Sequence, residues 1–555
     1  MYDDLDALIR REIECSGLIG LAIALVRGGE TVWSRGYGVV DLETNEAVTP
    51  QTRFAIQSVS KPVLATALMQ WRDRGRFQLD DPVNQHLAPL VLRDERGAPS
   101  TATVRQLLTH TSGLPADLAL PPEANVATSL EEFVGIVAQA ERPVDADIVY
   151  ANYGYDIIGL LLERFSGKSY DVCLREQLFE PLAMASTDIF RPGSIHARGY
   201  FRSAIDGEPH AAPEEPDRGW VRPCGALVST VEDVARFLAL HMSGGIFNGE
   251  LLLRQETVAE MHRVHARHAG ATSGMGLGLK VDESPRGDII MHGGDGVGYM
   301  ALLKACPERQ AGLVLLMNTG RAHSARSVIG RAAMRLLLGE DESKLPAPPL
   351  AEAERLTGRY HTNFWGYIAD LTTIDGAPQI EVVSGGLLAA ADRPSTLSKA
   401  GDGRYLANEG FFDGFELAFS FGPDGRATSF AGGVYPFRFD RVGDVPPPDV
   451  IDEDADVTGG WRGTAESPLG SVPLTLAIVT DGATISALSA HDAPVEAFFS
   501  ERGRVEGHFE VSLPSLGEFT VFLRLHAAGG MLRGSAIAQG AFGESSMPVE
   551  LERAS

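Results

Sequence analysis

A serine hydroxyl is a useful nucleophile near neutral pH only when a neighbouring group takes its proton, and one stretch of this chain has a lysine spaced for that task. Ser58-Val59-Ser60-Lys61 is the only S-x-x-K in the 555 residues. Only six lysines occur (Lys61, Lys168, Lys280, Lys304, Lys344 and Lys399), against 42 arginines, so a motif that needs lysine has few chances to arise by accident. On a helix, residues i and i+3 share a face, which puts the Lys61 amine one turn from the Ser58 hydroxyl. At a helix N-terminus, backbone N–H groups and the dipole would also favour negative charge developing there.

Two further motifs supply partners. Tyr150-Ala151-Asn152 is the only Y-x-N among 12 tyrosines. A tyrosine beside a lysine ammonium can have its phenol pKa lowered enough to act as a base toward a serine. On an extended segment Tyr150 and Asn152 point to the same side. The plainer alternative is a core tyrosine with a satisfied hydroxyl. H-x-G occurs at His268-Ala269-Gly270 and at His292-Gly293-Gly294. The second is favoured, because Ile289-Ile290-Met291 precedes it as a buried strand and the two glycines let a substrate backbone approach closely. His268 belongs instead to a run with His262 and His265. Three steps of about 100° turn such rings away from one another on a helix, so a solvated face is expected there, with no metal and no cofactor.

These residues need a scaffold, and the chain divides into segments that could provide it. Gly339 to Leu350 (GEDESKLPAPPL) and Gly443 to Asp456 (GDVPPPDVIDEDAD) combine acidic runs with proline clusters that resist helix and central strand alike. They cut the chain near 340 and 450. Before the first cut, Asp4 to Cys15 has helical spacing and leads into an apolar run, then Gly28-Gly29 and Thr31-Val32-Trp33, a helix feeding a β-hairpin. Ser229 to Glu232 reads as a capping box, and Ile289-Ile290-Met291 and Gly312 to Leu316 read as strands. The pattern is that of an α+β layer domain whose sheet joins both chain ends. After the cut, short alternating strands take over. A weak repeat, Thr357-Gly358-Arg359-Tyr360 and Thr458-Gly459-Gly460-Trp461, suggests two all-β barrels of roughly a hundred residues each rather than one larger β domain.

Composition removes whole classes of function. With 74 acidic and 48 basic residues the net charge is -26, the wrong sign for a nucleic-acid partner. At 44% hydrophobic and 22% charged, with mean hydropathy -0.03, neither a membrane bundle nor wholesale disorder is expected. Gly17 to Val26 is too short to span a bilayer. Residues 1–6 lack the basic and apolar regions of a secretory signal, so a cytoplasmic location is expected. Four scattered cysteines without a C-x-x-C pair suggest free and mostly buried thiols. A single sphere of 59.4 kDa would expose roughly 19,000 Å².

Taken in order, S-x-x-K, Y-x-N and H-x-G resemble the serine β-lactamase and penicillin-binding superfamily, in its class C-like branch of D-aminopeptidases, D-peptidases and esterases. Phe54 to Ser58, Leu107 to Pro115 (LLTHTSGLP), Pro181 to Met184 and Gly225 to Thr230 also look like recurrent segments of that family. The resemblance implies a β-lactamase-like catalytic domain over 1–340, an antiparallel sheet with helices, followed by a lipocalin-like antiparallel β-barrel over 351–443 and a second antiparallel barrel over 456–555. It implies that Ser58 forms an acyl-enzyme, that Lys61 helps deprotonate it, and that Tyr150 shuttles the proton to the leaving group. Asn152, Gly293, Gly294 and Asp295 would hold substrate, with the backbone N–H groups of Ser58 and Asp295 as oxyanion hole. His292 stands where β-lactamases usually carry the lysine of K-T-G, which favours peptidase or esterase chemistry. A G-x-S-x-G elbow is absent.

The two barrels resemble the arrangement in bacterial D-stereospecific aminopeptidases, where a loop of the last barrel enters the active site. Leu513 to Phe519 is the corresponding candidate here, and Asp295 or Glu518 could meet a substrate ammonium. The expected activity is hydrolysis of short peptides or amides with release of an N-terminal D-residue. A carboxylesterase is the alternative, and a non-catalytic peptide or β-lactam sensor is the alternative from another class. A small peptide, amide or ester is the expected partner, with a homodimer and without nucleic acid or membrane. Storage of a hydrophobic ligand in a barrel is a further reading.

Overall fold

The computed structural model describes residues 2–554 apart from positions 95, 115–126, 140–147, 192, 204–205, 213–221, 285, 341–344, 363–366, 385–392, 434–436, 446–454, 468–469, 480–481, 488–489, 502–503, 514–516 and 541–542. Helix α1 (Asp3–Ser16) ends at Gly17, whose φ of 61° is the left-handed conformation glycine adopts at no steric cost. The chain then forms a hairpin of β1 (Gly20–Arg27) and β2 (Glu30–Gly38), turning through Gly28 and Gly29, both at positive φ. Strands β3 (Ser273–Met275), β4 (Lys280–Asp282), β5 (Ile289–Asp295), β6 (Met300–Cys306) and β7 (Ala311–Met317) complete an antiparallel sheet in the order β3-β4-β5-β6-β7-β1-β2. The two ends of the segment therefore meet at the β7–β1 pairing, from Leu21↔Met317 to Arg27↔Ala311.

The apolar run of β1 reflects burial on both faces. Leu21, Ile23 and Leu25 enter one cluster with Leu5 and Ile9 of α1, while Ala22, Ala24 and Val26 enter another with Phe237 and Leu238. Small residues face the second layer, leaving room for helix α4 (Val231–Met242). Helix α2 (Ser60–Asp73) and helix α3 (Asn152–Ser166) lie in that same layer. Helix α5 (His323–Leu338) packs with α1 on the other. The N-cap of α4 is Thr230, whose side chain accepts from Asp233 N–H at 3.2 Å, rather than Ser229. The Ser229 hydroxyl is drawn instead to Thr187 at 2.7 Å.

Eight strands from Gly358–His361 to Phe437–Gly443 close a first barrel, with first and last strands paired at Tyr360↔Arg441. Its interior is filled by its own aromatics, Tyr360, Tyr405, Phe412, Phe419, Phe430 and Phe439, all buried, with Phe430 stacked on Phe439 at 4.6 Å. Among the described residues these rings pack on one another inside the barrel, where a stored ligand would have to lie. Nine strands from Gly459–Ser467 to Gly543–Arg553 form the second barrel. It is nearly closed, since its edge strands Ala490–Pro494 and Glu496–Glu501 are consecutive in the chain. It has a separate core around Trp461, Leu476 and Leu551. The first barrel instead shares its hydrophobic cluster with α1 and α5. Its turn at 409–415 reaches α5, where Arg331 pairs with Asp413 at 2.7 Å and Ser327 donates to Phe411 O at 3.3 Å. The surface of 22548 Å² exceeds the single-sphere expectation, as a chain of several bodies should.

The run of three histidines is not a solvated face. His268 is buried, and His262 caps the helix Gln255–Met261 and lies against His241, with Nδ1 of His241 3.0 Å from Nε2 of His262. Burial lowers the His262 pKa from 6.5 to about 4 and that of His241 well below its ordinary value. An unfolded chain would protonate these rings at the ordinary pKa, so acid favours unfolding. The melting temperature is expected to hold above pH 6.5 and fall steadily from there toward pH 4, measured by circular dichroism. A flat profile between pH 7 and 5 would contradict this.

Candidate active site

Ser58 is positioned by a short strand and a tight turn. Phe54–Ala55 pairs with Leu227–Ser229, and the chain then makes a 3₁₀ turn over Gln57–Val59 that runs into α2. Gln57 holds φ at 50°, a left-handed conformation unusual for a residue with a side chain, and such strain concentrates at functional turns. Ser60, fully buried, fixes the turn by donating to Gln57 O at 2.7 Å and accepting from Leu227 N–H at 3.0 Å. One residue on, Lys61 is also fully buried, and its Nζ donates to Ser58 Oγ at 2.8 Å and to Cys224 O at 2.9 Å.

Tyr150 and Asn152 flank Ala151, whose extended backbone (φ -112°, ψ 112°) sends the two side chains the same way. Asn152 opens α3 and is half-buried. Lys61 Nζ lies 5.0 Å from the centre of the Tyr150 ring. The expectation of a lowered phenol pKa is not met. Burial pushes the Tyr150 pKa well up, and interaction with the Ser58 hydroxyl offsets this only in part. The phenol is therefore neutral, a proton donor or relay rather than a standing base.

His292 is buried on β5 with its ring centre 6.2 Å from that of Tyr150. Its Nδ1 donates to Gly293 O at 2.6 Å, and burial together with the Lys61 charge lowers its pKa to about 3. The imidazole is thus neutral. Gly294 is needed for a different reason than the one anticipated. A Cβ there would stand 2.4 Å from Ile56 O, so the backbone that approaches is the protein's own, and β5 is pressed against the Ser58 turn. Asp295 also departs from expectation. Its carboxylate is held by Arg326 at 2.7 Å and His323 at 3.1 Å, and the guanidinium keeps its pKa below the usual range despite burial. Its charge is already matched by the Arg326 guanidinium, and it is not an open partner for a substrate ammonium.

Other parts of the site had no local sequence signal. Asp156, fully buried on α3, pairs with Arg222 at 2.6 Å and accepts from Cys224 N–H at 3.2 Å, fixing the carbonyl that receives Lys61. His110 stacks on Tyr150 with ring centres 4.3 Å apart. Its only advance sign was its place in LLTHTSGLP. A wall of the site comes from the first barrel. Phe437 lies 6.5 Å from Tyr150, and Tyr367 and Phe411 continue the row to His323. Of the candidate loop in the second barrel, Pro514, Ser515 and Leu516 and the side chain of Glu518 lie outside the described residues. Among the described residues no group of three His, Cys, Asp or Glu side chains is gathered as a metal site.

The Beta-lactamase family model matches residues 5–337. Penicillin-binding protein 4 of Amycolatopsis lactamdurans is 30% identical over 345 residues, covering 60% of this chain and 88% of that protein. The octameric penicillin-binding protein homologue from Pyrococcus abyssi superposes with a TM-score of 0.54 at 23% identity, over 79% of this chain and 99% of that one. EstCE1, a hydrolase with promiscuous acyltransferase activity, superposes with a TM-score of 0.53 at 21% identity, over 60% of this chain and 97% of its own. At these identities the two superpositions speak to fold.

Proposed function

Because the chain belongs to the β-lactamase family of serine hydrolases, we propose that it cleaves short peptides or amides through an acyl-enzyme on Ser58. The observation that carries this reading is the 2.8 Å contact between Lys61 Nζ and Ser58 Oγ, made by two side chains locked into one turn. In the neutral form the Lys61 amine accepts the hydroxyl proton as Oγ attacks the substrate carbonyl. The neutral Tyr150 phenol then passes a proton to the departing nitrogen or oxygen and takes in its place the proton that Lys61 holds, which returns both groups to their starting forms. Water repeats the sequence on the acyl-enzyme and frees the acid. Backbone N–H groups of Ser58 and Asp295, brought close by the contact of β5 with the Ser58 turn, would take the oxyanion. Asn152 would orient the substrate from the start of α3.

Release of an N-terminal D-residue is the finer reading, and it rests on the resemblance to class C-like peptidases. A carboxylesterase is favoured by two observations: Asp295 is already paired, and the wall formed by Phe437, Tyr367 and Phe411 suits an uncharged apolar group. A panel of D- and L-alanine p-nitroanilides, their N-acetyl forms and p-nitrophenyl esters separates the readings. The peptidase reading expects D-anilide turnover at least about tenfold above L, a difference of roughly 1.4 kcal/mol. Turnover of esters alone would remove it and leave the esterase.

A further inference from the structure

We propose that His110 is a positioning residue that holds Tyr150 in register with Ser58 and Lys61 through a two-sided backbone clamp and a ring stack. The inference rests on the acyl-enzyme reading and deepens it by naming what aims the phenol. Residues on both sides of Tyr150 bind the same histidine. Val149 N–H donates to His110 O at 2.9 Å, and Ala151 N–H donates to His110 Nδ1 at 3.1 Å. Between those bonds the two rings lie 4.3 Å apart at 31°. Two backbone bonds fix the path of residues 149–151, and the stack fixes the remaining freedom, rotation of the phenol about its side-chain bonds.

The clamp is itself anchored. His110 holds φ at 57°, a left-handed conformation that costs free energy in a residue with a side chain. Two residues before it, Leu108 O accepts from Tyr155 Oη on α3 at 3.0 Å and from Gly278 N–H at 3.2 Å. The Leu108 to His110 corner is thereby tied to the helix that begins at Asn152.

A merely structural reading has difficulty with the chemistry of the ring. His110 is 2% exposed, and its Nε2 has no hydrogen-bond partner among the described residues. With Nδ1 accepting, a neutral ring carries its proton on that buried Nε2, which costs stability an apolar ring would not forfeit. What the imidazole supplies in return is an acceptor for Ala151 N–H, beside Tyr150. Phenylalanine keeps the stack and removes both the orphaned donor and the acceptor, so its net effect on stability is small. Asparagine, which tolerates positive φ, keeps an acceptor near the Nδ1 position and loses the stack.

The test measures, in the full-length chain, the rate of Ser58 labelling by a fluorophosphonate and the steady-state kinetics of a p-nitrophenyl ester, with kcat expressed per labelled Ser58 so that unfolded molecules drop out. His110→Phe is expected to slow labelling and kcat by roughly 10- to 100-fold, the scale of a small misplacement of a catalytic group, with KM changed less than about threefold and the melting temperature nearly unchanged. His110→Ala should be slower still, and His110→Asn should recover part of the loss relative to it. Labelling and kcat of His110→Phe within twofold of wild type, or a loss confined to KM, would overturn the clamp alone. A wild-type chain that the probe does not label at Ser58 would overturn the acyl-enzyme reading first, and the clamp with it.

Discussion

Lys61→Met is expected to lower kcat for any amide or ester substrate by roughly 10³-fold, a transition-state loss of about 4 kcal/mol, while leaving Ser58 in place. The side chain is fully buried and spans two acceptors, Ser58 Oγ at 2.8 Å and Cys224 O at 2.9 Å. Methionine fills a similar volume without an amine, so the loss reports proton transfer more than packing. Ser58→Ala should fall by about 10⁴-fold or more, and combining the two changes should cost little beyond Ser58→Ala alone, because nucleophile and base act as a unit. Burst kinetics with a p-nitrophenyl ester supply the check. The acyl-enzyme amplitude should vanish in Ser58→Ala and form slowly in Lys61→Met. A Lys61→Met enzyme within tenfold of wild type would mean that another group takes the serine proton.

Asp156→Ala should destabilise the catalytic domain by about 2–3 kcal/mol, less than the penalty for a fully buried ion pair because the charge left behind, on Arg222, is partly exposed. Domain stabilities run to only about 5–15 kcal/mol, so urea denaturation would register a large shift in midpoint. Asp156 is fully buried, while the Arg222 side chain is 35% exposed and can recover some hydration. The larger expected consequence is catalytic. Asp156 also accepts from Cys224 N–H, and the carbonyl of that same residue receives Lys61. Replacing the pair together, as Asp156→Leu with Arg222→Met, should restore much of the stability and leave acylation slow, since Cys224 would still lack its anchor. Recovery of both together would reduce the pair to a packing element.

The clamp at His110, the anchor at Asp156 and the ion pair at Asp295 have one property in common. Each serves a motif residue and comes from elsewhere in the chain. Asp295 shows how this changes a reading. As an exposed acid it would suit a substrate amine, but Arg326 on α5 already matches its charge and His323 lies 3.1 Å from its carboxylate. Gly294 shows the same at the level of backbone, since the close approach it permits is to Ile56. The histidines at 262, 265 and 268 lie past the end of the helix at Met261, so helical spacing does not govern where their rings go.

The sequence by itself determined what lies within one turn or one hairpin. Ser58 and Lys61 meet because they stand three positions apart on one helical turn, Gly28-Gly29 turns because both positions need positive φ, and β1 lies inside the sheet because its apolar run has no polar face to give to water. It also determined the order of a sheet-and-helix segment and two barrels, since strand alternation and proline-rich acidic breaks are local signals. The tertiary structure alone decided which distant residues complete the site. Asp156 and Arg222 are 66 positions apart, Ala151 and His110 are 41 apart, and Arg326 and Asp295 are 31 apart. It likewise decided that the first barrel supplies an aromatic wall beside Tyr150. No periodicity records such pairings, because they depend on how finished elements pack, and packing responds to shape and burial rather than to spacing.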